Sequence, residues 1–174
     1  NIRRMAEDGT FVGPALSSFP TPGNVYIDWL LPAVDGSLSI GLRSNSGGSG
    51  YEVYFARVAF DGEVLLAPTA LTSTGNADVA GFIHEAGENS LFWTEPNEVG
   101  VALRSATFDD AGVVQNAPTS LLTSTNVLVS RHGVAQANGE RYVGVLRVTD
   151  GPSEVLVARI TPSGLDPLMG VARA

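Results

Sequence analysis

The 174-residue chain contains no cysteine and no lysine, and only two histidines. Without cysteine there is no disulfide, no thiolate metal site and no thiol nucleophile, so the fold has to rely on its core. All ten basic residues are arginines, scattered singly against 18 acids, for a formal charge of −8. Phosphate contacts need a basic patch, so nucleic acid is disfavoured as a partner, and the same sign disfavours anionic membranes. Long apolar runs are missing too. DWLLPAV at 28–34 is cut off by charge and proline, well short of the roughly 20 residues of a spanning helix, so no membrane insertion is expected. No segment sustains a 3.6-residue apolar period, which predicts little helix. Arginine in place of lysine suits a high-GC bacterial genome. The opening NIRRMAEDGT carries neither an initiating Met nor an apolar segment, so a processed chain or a fragment is expected.

What is present is repetition. With 44% hydrophobic and 16% charged residues, the chain can bury a core and reads as a single domain over 1–174. The stretch FARVAFDGEVLLAPTALTST at 55–74 returns in worn form as IRRMAEDGTFVGPALSSF (2–19), ALRSATFDDAGVVQNAPTSLLTST (102–125) and VARITPSGLDPLMGVARA (157–174). The turn glycines Gly9, Gly62, Gly112 and Gly164 are 53, 50 and 52 residues apart. GNVYIDWL (23–30), GNADVAGFI (75–83) and TNVLVSRHGV (125–134) also correspond, giving units at 23–74, 75–125 and 126–174 after a partial unit at 1–22.

Each unit holds four β-type runs separated by DG, NG or Gly/Ser clusters, the chemistry of tight hairpins. In the first these are VYIDWLL, SLSIGL, YEVYFARVAF and EVLLAPTAL. Imperfect alternation in the middle runs predicts strands buried on both faces between stacked sheets. A period near 50 residues with four strands resembles a β-propeller blade, and the copies resemble divergent bacterial propeller repeats that read "ARid.dG..l..p..lt". No WD dipeptide, kelch di-glycine or Asp-box assigns a subfamily. The resemblance implies an all-β, propeller-like fold of about three and a half blades, with a β-sandwich or other repeated hairpin fold as the alternative. Closed propellers have about 4–8 blades, so a partner chain, identical or otherwise, is expected to cover the open edges.

Residues present in every copy read as scaffold. Arg4, Arg57, Arg104 and Arg159 end the third strand of each unit, where a guanidinium can bind turn carbonyls or an acid of the next unit. Pro14, Pro68 and Pro118 precede the last, outer strand, and Asn24, Asn76 and Asn126 start the units. Function is expected where the copies differ: Asp28, the pairs His84–Glu85 and Arg131–His132, Glu95, and Tyr51 beside the longer loop SNSGGSG (44–50). The two histidines lie 48 residues apart, one repeat, which explains their correspondence without a metal. Neither metal nor cofactor is expected, and no GxSxG or fixed carboxylate pair signals catalysis. Trp29 and Trp93 lie within strand runs and read as core, while Tyr51 and Tyr142 are available for recognition. The favoured reading is a non-enzymatic binding or assembly module, extracellular or surface-exposed, engaging another protein or copies of itself. The alternative is part of a carbohydrate-active propeller enzyme or a glycan-binding protein, using carboxylates and aromatics on the channel face.

Overall fold

The computed structural model describes residues 2–17, 23–33, 35–45, 50–73, 75–85, 88–111, 113–125, 127–129, 133–148, 152–161, 164–166 and 169–173. Among them there is no helix. A hairpin of β1 (Ile2–Met5) and β2 (Phe11–Ser17) comes first. The first full sheet is β3 (Asn24–Pro32), β4 (Leu38–Asn45), β5 (Glu52–Val58) and β6 (Val64–Ala70), antiparallel and in chain order. The second repeats this with β7 (Asp78–Glu85), β8 (Glu88–Asn97), β9 (Gly100–Asp109) and β10 (Val114–Ser124). In the third, β11 (Val127–Val129) and β12 (Val134–Ala137) both pair with β13 (Glu140–Val148), which pairs with β14 (Glu154–Thr161). The far edge of β14 takes β15 (Gly164–Leu165) and β16 (Met169–Arg173). These are blades of a β-propeller-like fold.

Asp-Gly turns close three hairpins with one geometry. The N–H groups of Ala6, Ala33 and Ala59 donate to the carbonyls of Thr10, Ser37 and Glu63 at 2.8 Å, and those of Gly9, Gly36 and Gly62 return to the same alanine carbonyls at 3.0 Å. The glycines sit at φ of 84°, 81° and 100°, where a Cβ would be strained. Asp8, Asp35 and Asp61 lock each turn by accepting the N–H two residues on. Asn138 and Gly139, at φ of 54° and 75°, make the two-residue turn between β12 and β13 that Asn-Gly predicts.

Apolar runs become middle strands because those strands are covered twice. β4, β5 and β8 are buried on both faces, whereas the outer β6 and β10 are mostly exposed. Between the first and second sheets lies an aromatic core. Trp29 stacks on Phe82 with centroids 4.0 Å apart, and Phe55 meets Phe108 edge-on at 4.4 Å. Trp93, Leu91 and Val53 complete it. Each such side chain contributes about 1.5–3 kcal/mol by leaving water. Between the second and third sheets the core is smaller-chained: Ile83, Phe92, Leu103, Val143, Val145, Leu156 and Ala158.

Register refines three expectations. Pro68 and Pro118 lie inside the outer strands, not ahead of them, at interruptions of the ladder between Leu66 and Thr69 and between Asn116 and Thr119. A residue without an N–H is tolerated there. The recurring arginines are not all equivalent. Arg57 pairs with Ser39 one residue before the strand-closing Val58, and the matching place in the second sheet is Thr107, paired with Ser90. Arg104 falls three residues earlier, opposite Trp93. Finally, the first run of the third unit is two short strands, β11 and β12, and not one.

Candidate functional site

The inner strands β3 and β7 carry a bulge at the same place. In β3, Ile27 pairs with Leu42 and Trp29 with Gly41, leaving Asp28 as the additional residue. In β7, Val79 pairs with Trp93 and Gly81 with Phe92, leaving Ala80. A bulge lets two consecutive residues face one side. Trp29 can therefore lie over Gly41 while Asp28 reaches Arg43, both on the face toward the second sheet.

Around Asp28 a polar and aromatic cluster is assembled from three segments. Arg43 is the cross-strand partner of Tyr26. Its Nε donates to Asp28 Oδ2 at 2.6 Å, and its guanidinium carbon lies 5.9 Å from the Tyr26 ring and 5.3 Å from the Tyr51 ring. The two tyrosine rings meet edge-to-face at 5.6 Å. Contacts of this range between guanidinium and ring are attractive. The Asp28 side chain is 17% exposed within an exposed stretch of β3, and Tyr26 is 49% exposed. Tyr51 is fixed from the second sheet, because its carbonyl accepts the Ala77 N–H at 2.9 Å. Glu52 holds the same crossing by accepting from Thr72 Oγ1 and the Gly75 N–H. The patch is thus pre-built from the first sheet and the connection into the second, at the end where sheets are joined. The rest of the SNSGGSG loop, residues 46–49, lies outside the described residues.

Other sequence candidates do not join it. Glu95 is buried in the gap between the first two sheets, where it accepts the Trp93 Nε1–H at 3.0 Å and pairs with Arg104. Its oxygens are committed to packing. His84 lies four residues on from Ala80, the counterpart of Asp28, so it belongs to the other end of its strand. There His84 Nδ1 hydrogen-bonds Asn89 Oδ1 at 2.8 Å, and Asn89 Nδ2 donates to Asp110 Oδ1 at 3.0 Å. Arg57 enters the same end. Its Nη1 donates to the Asp110 carbonyl at 2.7 Å, and Nη2 to Asp35 Oδ2 and Ser37 Oγ, both at 2.6 Å. Glu85 ends β7 opposite Glu88 in register. Arg131 and His132 lie outside the described residues. Among the described residues no three His, Asp or Glu gather as a metal site.

Arg159 belongs to a separate surface network. It donates to Glu140 and Asp166, and Tyr142 also donates to Glu140. Tyr142 and then Arg159 hold the Glu140 carboxyl below its ordinary value, and Glu140 and Asp166 push Arg159 up.

Asp35 carries a larger shift. The Ser37 hydroxyl and N–H, then Arg57, hold its carboxyl down at about 2 from 3.8. A depressed folded-state value means that stability is present above the unfolded value and lost as pH falls through the folded one. The stability gap between the native chain and Asp35→Asn should therefore be constant at pH 5–7, narrow below about pH 4 and close near pH 2. Chemical denaturation at stepped pH measures it, and a gap that persists unchanged at pH 2 contradicts the assignment.

Tyr26 and Arg43 were not among the sequence candidates, although a signal existed. The register counterparts of Tyr26, Asp28 and Arg43 in the second sheet are Asp78, Ala80 and Thr94, so all three positions are ones where the copies differ.

No protein-family pattern matches this sequence, and no curated protein matches it. The fold does have solved neighbours. An α-L-arabinofuranosidase from Clostridium thermocellum ATCC 27405 superposes with TM-score 0.54 and 13% identity over 97% of this chain and 64% of that one. A thermostable family-43 glycoside hydrolase gives 0.55 and 11%, over 90% of this chain and 57% of that one. Both are β-propeller enzymes. This chain spans less than two thirds of the length of either.

These neighbours correct the preference for a non-enzymatic assembly module. That preference rested on the absence of any motif, yet the fold is shared with glycoside hydrolases at identities of 13% and 11%, where no motif stays legible. The likeness itself is to the fold. The carbohydrate-active alternative has to rest on side chains.

Proposed function

We propose that this chain is part of a carbohydrate-active propeller enzyme, and that its glycan is held at the Tyr26–Asp28–Arg43–Tyr51 patch. The observation carrying this reading is the combination of the exposed Tyr26, edge-on against the half-buried Tyr51, with an ion-paired carboxylate and guanidinium beside them. Tyrosine rings present apolar faces to the C–H side of a sugar, and the polar tips and the Asp28–Arg43 pair suit its hydroxyls. Asp28 already accepts from Arg43. It therefore orients substrate as an ionised acceptor, and the proton donor that glycoside cleavage requires is a separate group.

The test is calorimetric titration with a panel of neutral oligosaccharides, alongside release of nitrophenol from aryl glycosides that include an α-L-arabinofuranoside. Tyr26→Ala and Asp28→Asn should each weaken oligosaccharide binding by about tenfold, the scale of one lost stacking or charge-assisted contact. Both variants should keep the native melting temperature within a few degrees, because the patch lies outside the inter-sheet cores. Absence of binding by every oligosaccharide, with the fold intact, would sink this reading.

A further inference from the structure

The two inter-sheet gaps are built from equivalent positions but filled differently. In the first sheet, Gly41 pairs with Phe55 and Ser39 with Arg57, and Phe55 and Arg57 fill the space toward the second sheet. The bulge alignment makes Phe92 the counterpart of Gly41, so the counterpart of Phe55 is Ser105 and that of Arg57 is Thr107. A phenyl ring and a guanidinium are thus replaced by two hydroxyls. Phe92 stands where the first sheet has Gly41, and Arg141 reaches in from the third sheet, yet a cavity of about 580 Å³ opens between the second and third sheets.

Its lining is chemically specific. Ser105, Thr107, Thr119 and Asn116 present hydroxyls and an amide, beside an apolar wall of the partly buried Leu121 and Ile160. These groups are arranged as pairs: Asn116 Nδ2 donates to Thr107 Oγ1 at 2.7 Å, and Ser105 Oγ lies 3.4 Å from Thr119 Oγ1. From the third sheet Arg141 Nη1 donates to Ser90 Oγ at 3.0 Å, with Glu88 at 3.9 Å balancing its charge. The volume falls within the roughly 300–1,000 Å³ of small-molecule sites, and such sites combine an apolar wall with a few convergent polar groups. A cavity this polar is not a dry packing defect.

We infer that this cleft is a second ligand site, taking a small neutral polyhydroxylated molecule of monosaccharide to disaccharide size. The balanced Arg141–Glu88 pair argues against a charged ligand. Hydroxyls that both donate and accept match the alternating donors and acceptors of a sugar ring, and Leu121 and Ile160 offer an apolar wall to its C–H face. The site is separate from the patch around Asp28 and stands without it.

The experiment uses the intact chain titrated calorimetrically with D-glucose, D-xylose, L-arabinose, maltose and cellobiose. Ser105→Phe places a second ring beside Phe92, in the space of the cleft, and should abolish binding of the sugar that the native chain takes. Thr107→Val, which removes one hydroxyl at constant shape, should weaken that sugar about tenfold and covers the case in which the larger change misfolds. Tyr26→Ala should leave the same affinity unchanged. The inference is overturned if Ser105→Phe only raises the melting temperature while no sugar in the panel binds the native chain. Loss of binding in Tyr26→Ala but not in Ser105→Phe or Thr107→Val overturns it as well, and leaves the proposed function standing.

Discussion

Replacing Gly41 with valine should lower the melting temperature of the protein by roughly 6–12 °C. The backbone at Gly41 is ordinary strand, so the demand for glycine is one of space. A Cβ built there would lie 1.9 Å from Trp29 Cε2, 2.0 Å from Cζ2 and 2.4 Å from Cδ2. The indole has no room to retreat, because Phe82 is stacked against it at 4.0 Å. Overpacking usually costs about 1–3 kcal/mol, and here the upper end applies because the Trp29–Phe82 stacking is lost with it. About 3 kcal/mol corresponds to the stated shift for a chain of this length. The mechanism makes a second demand. Trp29→Leu should remove the obstacle, so the double variant Trp29→Leu/Gly41→Ala should be less destabilised than the sum of its single variants, by about 0.5–3 kcal/mol. Strict additivity in urea denaturation would show that the indole does not lie over Gly41.

That contact also marks where the sequence stopped being informative. Asp-Gly and Asn-Gly turns act within four or five residues, so the hairpins at 6–10, 33–37, 59–63 and 137–140 were readable directly. The repeat compares the chain with itself and needs no tertiary knowledge. The bulges at Asp28 and Ala80 are different in kind, since they exist only relative to a partner strand. Without them, Trp29 over Gly41 and Gly81 beside Val134 look unrelated. With them, Trp29 opposite Gly41 and Gly81 opposite Phe92 are a large/small pair and a small/large pair at one repeat position, conserving volume. The arginine anchors follow the same rule: Arg57 and Arg104 correspond in the linear repeat, whereas cross-strand register gives the place of Arg57 to Thr107.

The candidate site was legible only in part, for the same reason. Asp28 and Tyr51 stood out as positions where the copies differ, but Arg43 joins them through cross-strand register and the return of the chain after the 46–49 loop. Glu95 shows the converse. An acid followed by proline and asparagine looks like an exposed loop residue, yet its side chain is only 7% exposed, with Arg104 and the Trp93 indole as partners. Burial is set by the neighbouring sheet, and nothing within the PNEVG turn encodes it.

Arg57→Ala should destabilise the protein by about 2–3 kcal/mol while leaving oligosaccharide affinity at the native value. The guanidinium is 8% exposed and makes three hydrogen bonds that tie the Asp35–Ser37 turn of the first sheet to the Asp110 carbonyl of the second. Hydrogen bonds to charged groups are worth about 1.5–3 kcal/mol, and removing the donor strands acceptors that the gap has already taken from water. Asp35 is half exposed and recovers solvent, which keeps the loss below the about 3–5 kcal/mol of a fully buried broken pair. Arg57→Lys should recover little, because one ammonium cannot reproduce the fork that reaches a turn on each sheet. Thr107→Ala, at the equivalent place in the second sheet, should cost far less, since its one side-chain bond to Asn116 is exposed. Equal losses at 57 and 107 would mean that the repeat position itself carries the stability. A loss confined to 57 means that the first gap is closed by an arginine of its own third strand, at a position that the second gap gives to Thr107 beside its cleft.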